Sequence, residues 1–452
     1  MIDKLLASYN LFNEEKITHR RFKHKDIVDL LEKFKWNPDF VIEEVGKSIE
    51  GRPIFLVKIG HGKVKVLLWS QMHGNEPTAT MALMDIFNFF NISDEFDDFR
   101  KTILKELSLY FIPMLNPDGA EVFTRRNALN IDINRDALLL ECPESKILKN
   151  VRDKILPDFG FNLHDMDTRY AVGNTGKPAT ISFLAPPYDE KKTINQVREK
   201  AMKVIVSLNK LLENYIPGQI GKWDDEFEPR AFGDNIQKWG TSTILVESQG
   251  SHNDPEKQFV RKLNFILLLK AFDVIADQSF LKEDINHYNK IPFNSRTFFN
   301  LVIRNAKLHL NNKVFKIDIG INRYEIEEES GFSFESVIEE IGDMSIFYGY
   351  EELDAKGMEV TPGKVYPQSL KEHELNSSKI NDLLNDGYTT VIVKDYVKNK
   401  SQSSFPINII TEEIQKPAII GIDSKADLIL KEGEIVKYAV VNGFLHCLNQ
   451  NL

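Results

Sequence analysis

His73, Glu76 and His164 are the residues of this sequence whose types and spacing point most directly to chemistry. They stand in LLWSQMHGNEPTATMALMDIF and GFNLHDMD, and together they read as three protein ligands for a zinc ion. Two imidazoles and a carboxylate leave a fourth tetrahedral position open to water. Water held there is deprotonated near neutral pH, so the set implies hydrolysis. The HxxE spacing alone is weak: a histidine at a strand end also serves as a hydrogen-bonded core residue, and an acid before a helix complements its N-terminus. Context strengthens the metal reading. Val64–Trp69 is an apolar, β-branched run that reads as a buried strand, and Pro77 suits the first turn of a helix expected over Thr78–Phe90. The pair is therefore expected at a strand-to-helix turn, where α/β sheets hold their ligands.

Two further strand ends carry candidates. His164 closes the run FGFNL, which would deliver it to the same sheet edge as His73. Glu247 closes STILV, and a carboxylate there is costly to bury unless paired or protonated. A raised pKa would suit a general base that moves a proton from water to a leaving amine. Asp165 and Asp167 read as solvated loop acids. NPDG at Asn116–Gly119 reads as a tight turn after a buried strand. Beyond it, TRRNALNIDINRD at Thr124–Asp136 supplies Arg125, Arg126, Asp132, Asn134 and Arg135. A surface helix can carry such charges harmlessly, but a guanidinium fork also suits a substrate carboxylate. An arginine beside a metal can stabilise the oxyanion formed when water attacks a carbonyl.

Elements able to position these residues recur along the first part of the chain. Strands are expected at Ile54–Ile59, Val64–Trp69, Leu107–Pro113, Phe159–Leu163, Ile181–Leu184 and Ser242–Val246. Helices are expected at Asp26–Phe34, Thr78–Phe90, Glu144–Ile155, Glu190–Leu212 and Pro255–Ile275. Such alternation predicts an α/β layered sheet with helices on both faces. Near Asn289–Phe293 the texture changes to shorter strand-like pieces, such as Val314–Ile319, Thr389–Val393 and Ile435–Val441, between Gly, Asn and Asp clusters. The expected division is a catalytic domain over 1–288 and a smaller, mostly β domain over 289–452, which fits a chain of 452 residues. A net charge of −10, with no basic stripe, argues against a nucleic-acid partner. No apolar run approaches the ~20 residues of a membrane span, and no signal peptide is legible. Only Cys142 and Cys447 occur, far apart, so a reducing, cytoplasmic setting is expected.

From about Val45 to Gly250 the sequence resembles the M14 zinc carboxypeptidase family. The resemblance rests on HGNE, NPDG with RRNALNIDINR, the histidine of NLHD and the glutamate of TILVESQG, in family order, after the leader VGKSIEGRPIFLVKIG. It implies a mixed, mostly parallel eight-stranded sheet between helices. It implies one zinc per chain on His73, Glu76 and His164, with Glu247 as base and proton shuttle. Asn134 and Arg135 match the pair that grips a peptide's terminal carboxylate, and Asp132 matches a carboxylate orienting the first ligand histidine. Arg126 is the expected oxyanion arginine, with the adjacent Arg125 as the alternative.

Three features depart from the family. GKWDDEFEPRAFGDN holds no tyrosine where the family's closing tyrosine is expected, leaving Arg230 or a residue from elsewhere to replace it. The compact spacing from Arg126 to Asn134 is also similar to the aspartoacylase and succinylglutamate desuccinylase branch. The C-terminal domain has no counterpart in the digestive enzymes. The expected activity is release of a C-terminal residue from a peptide, the alternative an N-acyl amino acid deacylase; either substrate carries a free carboxylate. A binding protein on an inactive hydrolase fold is the reading from a different class.

Overall fold

The computed structural model describes residues 1–328, 331–394, 396, 406–411 and 419–448, and the chain divides into two compact units, Met1–Arg296 and Thr297–Leu452. The strands of the first unit are β1 (Phe40–Lys47), β2 (Pro53–Ile59), β3 (Val64–Ser70), β4 (Leu107–Ile112), β5 (Phe159–Asp165), β6 (Ala171–Val172), β7 (Ile181–Leu184), β8 (Ile220–Lys222), β9 (Ser242–Ser248) and β10 (Asn294–Ser295). Its helices are α1 (Ile2–Ala7), α2 (His24–Leu31), α3 (Thr78–Asn91), α4 (Asp97–Glu106), α5 (Pro117–Glu121), α6 (Pro143–Ile155), α7 (Gln196–Leu212), α8 (Phe232–Lys238), α9 (Gln258–Ala276) and α10 (Ile285–Asn289). Eight strands form one sheet in the order β1-β2-β4-β3-β5-β9-β7-β8, and β6 pairs with β10 apart from it. The centre, β4-β3-β5-β9, is parallel; β1-β2, β2-β4 and β7-β9 are antiparallel. This is the mixed α/β sheet between helices that the sequence implies.

The period-two alternation of strand side chains builds both layers. In β3, Val66 and Leu68 enter a core shared with α3, α7 and α9, while Leu67 and Trp69 enter one shared with α6 and α8. In β5, Phe159, Phe161 and Leu163 join the first core, which turns His164 to the opposite face. Register pairs His164 with Glu247 on neighbouring β9, so the two side chains share that face at the carboxyl edge of the sheet.

Some elements differ from the expected bounds for local reasons. The helix expected from Glu190 starts at Gln196, because Lys192 takes a left-handed turn (φ 55°) and the Asn195 side chain caps the helix by accepting from Arg198 N. The strand β1 and helix α4 have no expected counterpart. β1 buries only Phe40, and α4 buries only Phe99, Arg100 and Ile103. The N-terminal segment is clamped onto the helices by buried Arg261. Its Nε donates to Asp85 Oδ2 at 2.7 Å, Nη2 also pairs with that carboxylate, and Nη1 donates to Ile17 O at 2.6 Å. Asp85 further accepts from Tyr9 Oη at 2.7 Å and Glu14 N at 2.8 Å.

The second unit holds β11 (Phe298–Leu310), β12 (Lys313–Glu328), β13 (Gly331–Gly342), β14 (Tyr348–Asp354), β15 (Glu359–Pro362), β16 (Lys364–Ser369), α11 (Ser377–Asn385), β17 (Tyr388–Ile392), β18 (Asn408–Ile410), β19 (Leu428–Glu432), β20 (Ile435–Val441) and β21 (Phe444–Cys447). The main sheet runs β13-β12-β11-β15-β19-β20-β21, with β14 on β11, and β16-β17-β18 form a second sheet. The expected piece Val314–Ile319 lies in the first part of the 16-residue β12, whose largely polar C-terminal part, residues 322–328, hides its length from an apolarity scan. Cys142 and Cys447 are unpaired, and no described helix is long and apolar enough to cross a membrane.

Candidate metal centre

The turn after β3 is shaped by a close backbone approach. A Cβ on Gly74 would stand 2.0 Å from the Gly119 carbonyl carbon, so only glycine lets HGNE pack on NPDG. NPDG is also more than a turn. Asn116 Oδ1 caps α5 by accepting from Gly119 N at 2.9 Å. The Asp118 carboxylate accepts from Ser48 Oγ at 2.7 Å, Glu50 N at 3.0 Å and Arg52 Nη1 at 2.7 Å, which ties the leader SIEGR beneath the turn. Both motifs thus brace the segment carrying His73 and Glu76.

His73, Glu76 and His164 are brought together as expected, all buried, with ligand atoms within 4.8 Å of one another, a group that could hold a metal ion. The Nδ1 atoms of the two histidines lie 3.2 Å apart, and Glu76 stands 2.7 Å from each through Oε1 and Oε2. Ligands at zinc's usual bond lengths of about 2.0–2.1 Å sit about 3.3 Å apart around a tetrahedron. The histidine pair has that spacing. His73 also meets Asp132 through Nε2, at 3.0 Å from Oδ1. A neutral ring carries one proton and so satisfies one of the two flanking carboxylates. A proton on Nε2, facing Asp132, leaves the Nδ1 lone pair for a cation, and Arg125 Nη1, 3.1 Å from Nδ1, is placed to donate to it. Burial disfavours a charged His73 ring, but Glu76 and then Asp132 outweigh it and raise its pKa. For Glu76, burial is overcome by both histidines, so the carboxylate is held well below its ordinary range. The donor set fits a divalent cation.

Glu247 stands beside this set at the end of β9, half-buried, and its buried Oε2 has no hydrogen-bond partner among the described residues. Burial, then the charges of Glu76 and Asp165, push its carboxyl well above the ordinary range, against the pull of Arg125 and Lys257. A carboxyl with a buried, unpartnered oxygen of this kind is placed to exchange a proton with something that enters the site.

Sequence reasoning missed two members of this environment. Asp165, expected to be solvated, is buried: it accepts from Thr78 Oγ1 at 2.5 Å and Lys257 Nζ at 3.1 Å, and its own N–H donates to Glu76 Oε2 at 3.2 Å. Lys257, buried in a left-handed turn (φ 52°), also donates to Ser248 O at 2.9 Å. Its signal was absent because the expected helix Pro255–Ile275 took it in, whereas the helix starts only at Gln258. Asp167 is the solvated acid, paired with Arg169.

The arginine block divides differently from the expectation. Arg126 is exposed and turned outward, donating to Asn130 O at 3.0 Å. Arg125 is the arginine that reaches in: Nη1 lies 3.1 Å from Glu76 Oε1, and Nε lies 3.1 Å from Asp132 Oδ2. The expectation shifts by one residue. Asp132 caps the following turn by accepting from Asn134 N at 2.9 Å, and the bond pins Asn134 and Arg135 next to His73's partner. Asn134 Oδ1 accepts from Phe232 N at 2.9 Å. Arg135 reaches Glu228, Nε to Oε2 3.3 Å, and Arg230 lies on the same carboxylate with Nη2 to Oε2 at 2.8 Å.

Residues 27–146 match the family model described as zinc carboxypeptidase, Peptidase_M14. Among curated relatives, the chain is 31% identical over 98 residues to Carboxypeptidase SOL1 of Arabidopsis thaliana, covering 20% of each chain. It is 27% identical over 111 residues to Carboxypeptidase 2 of Trichophyton rubrum, covering 25% of this chain and 20% of that one. The matches thus span about a fifth of these relatives' length. Among solved structures it is similar to a metallo-carboxypeptidase from Burkholderia cenocepacia, with TM-score 0.47 and 16% identity over 57% of this chain and 70% of that one. Over the matched segment, residues 27–146, the chain is similar to the M14 zinc carboxypeptidases.

Proposed function

We propose that the first unit is a zinc-dependent metallocarboxypeptidase that releases the C-terminal residue of peptides. The observation that carries this reading is the meeting of His73 Nδ1, His164 Nδ1 and the Glu76 carboxylate beside Glu247, whose buried Oε2 is unpartnered among the described residues. Zinc held by His73, Glu76 and His164 would supply a water of lowered pKa and a Lewis acid for the scissile carbonyl. Glu247 takes the proton of the attacking water and returns it to the departing amine. Asp132 holds the His73 ring and its tautomer. Arg135 and the Asn134 amide hold the terminal carboxylate, and this grip confines cleavage to the chain end. Arg125 donates to the oxygen on which negative charge develops.

Metal analysis tests the site itself. Plasma mass spectrometry of the purified protein is expected to find about one zinc per chain, lost in both His73→Ala and His164→Ala. A wild type that stays empty when zinc is offered would remove the reading. The choice between arginines has its own outcome. Arg125→Gln is expected to lower kcat by about 10²- to 10³-fold, the range for loss of an oxyanion donor. Arg126→Gln is expected to stay within about twofold, as for an exposed change. Steady-state kinetics on one peptide separates them, and the reverse order would return the role to Arg126.

A further inference from the structure

The segment facing Arg135 contains an acid that the proposed reaction does not use. Glu228 touches Arg135 through one contact, Oε2 to Nε at 3.3 Å, but Arg230 holds it bidentately, Nε to Oε1 at 3.0 Å and Nη2 to Oε2 at 2.8 Å. Its carboxyl is pulled down to about 2, first by Arg230, so it is ionised wherever the protein works. The loop is rigidly placed. Glu228 N donates to Asp234 Oδ1 at 3.2 Å, Ala137 N to Arg230 O at 3.1 Å, and Phe232 N to Asn134 Oδ1 at 2.9 Å. Arg135 gives Nη1 to Asn134 O at 2.7 Å, and its remaining donors are available to an incoming carboxylate.

We propose that Glu228 is a specificity-determining residue that excludes acidic terminal residues, so that the substrates are chains ending in a neutral or basic side chain. This rests on the reading of Arg135 as the carboxylate grip. A terminal carboxylate on Arg135 shares that guanidinium with Glu228, and two cations then face two anions. The side chain of the terminal residue branches one carbon from the bound carboxylate, so a second carboxylate on it brings another anion to the neighbourhood of Glu228, and like charges repel. Arg230 moderates the competition, because its two-pronged hold limits how fully Glu228 can close on Arg135. The same exclusion runs against deacylation of acidic N-acyl amino acids.

The test is calorimetric binding of N-acetyl-alanine and N-acetyl-glutamate to the zinc-loaded protein, which needs no turnover. Wild type is expected to prefer the alanine probe about tenfold, and Glu228→Gln to bind both more tightly with the preference reduced to about twofold. Arg230→Gln is expected to weaken the alanine probe several-fold, but to have no effect when combined with Glu228→Gln. A merely structural role would weaken binding in every variant and show no such dependence. Arg135→Met reports on the parent reading, since it should abolish binding of both probes. Binding lost in Arg135→Met with unchanged selectivity in Glu228→Gln would overturn this inference alone. Binding unaffected by Arg135→Met, or no binding to wild type, would overturn both.

Discussion

Glu247→Gln is expected to lower kcat/KM for C-terminal cleavage by about 10²- to 10⁴-fold while leaving zinc content unchanged. The amide is nearly isosteric with the carboxyl but has no basic oxygen, so it fills the same buried place and takes no proton. Metal content should hold, because the ligand set meets without Glu247. The pH profile gives a second readout. A base works deprotonated, and burial with the charges of Glu76 and Asp165 raises this carboxyl. Activity is therefore expected to fall as pH drops through a limb lying above the usual carboxylate range, and the limb should be absent from the residual rate of Glu247→Gln. A limb at ordinary carboxylate pH would remove Glu247 as the base. Full activity in the Gln variant would do the same.

The second large effect is structural. Arg261→Met is expected to destabilise the protein by about 3–5 kcal/mol, the cost of breaking a buried ion pair from one side. The substitution leaves Asp85 fully buried with only Tyr9 Oη and Glu14 N as partners, and strips Ile17 O of its donor. Asp85 lies on α3, whose first turn follows Glu76, so the clamp also steadies the helix behind the metal ligands. Combining Arg261→Met with Asp85→Leu removes the stranded charge and should recover much of the loss. Urea midpoints for the single and double variants measure this directly. Equal midpoints for wild type and Arg261→Met would show that the clamp contributes nothing.

How legible the site was depended on how local its signals are. His164 and Glu247 could be placed because each closes an apolar run, and His73 and Glu76 because they follow one in the turn to α3; such runs become the parallel strands whose carboxyl ends converge. The role of Asp132 came from the family resemblance, and its capping bond to Asn134 N shows how the step is held locally. Arg125 and Arg126 are adjacent, and only the direction in which the loop turns decides which reaches His73. Lys257 and Glu228 gave no signal. Their partners, Asp165 and Arg135, lie some ninety residues away along the chain, and nothing in either segment's composition marks it as lying against the site. The fold divides along the same line: buried α/β elements follow hydrophobic periodicity, whereas the half-exposed β1 and α4, and the C-terminal part of β12, are formed by pairing and packing that periodicity does not register.

A zinc site coupled to a grip on a terminal carboxylate is distinguished from its alternatives by one comparison. The zinc-loaded protein is incubated with a short peptide, with the same peptide as its C-terminal amide, and with an N-acyl amino acid, and the released amino acid is quantified by mass spectrometry. The account predicts release of the last residue from the free peptide alone, abolished by a chelator and restored by zinc. Equal cleavage of the amide, release that survives the chelator, or hydrolysis confined to the N-acyl amino acid would contradict it.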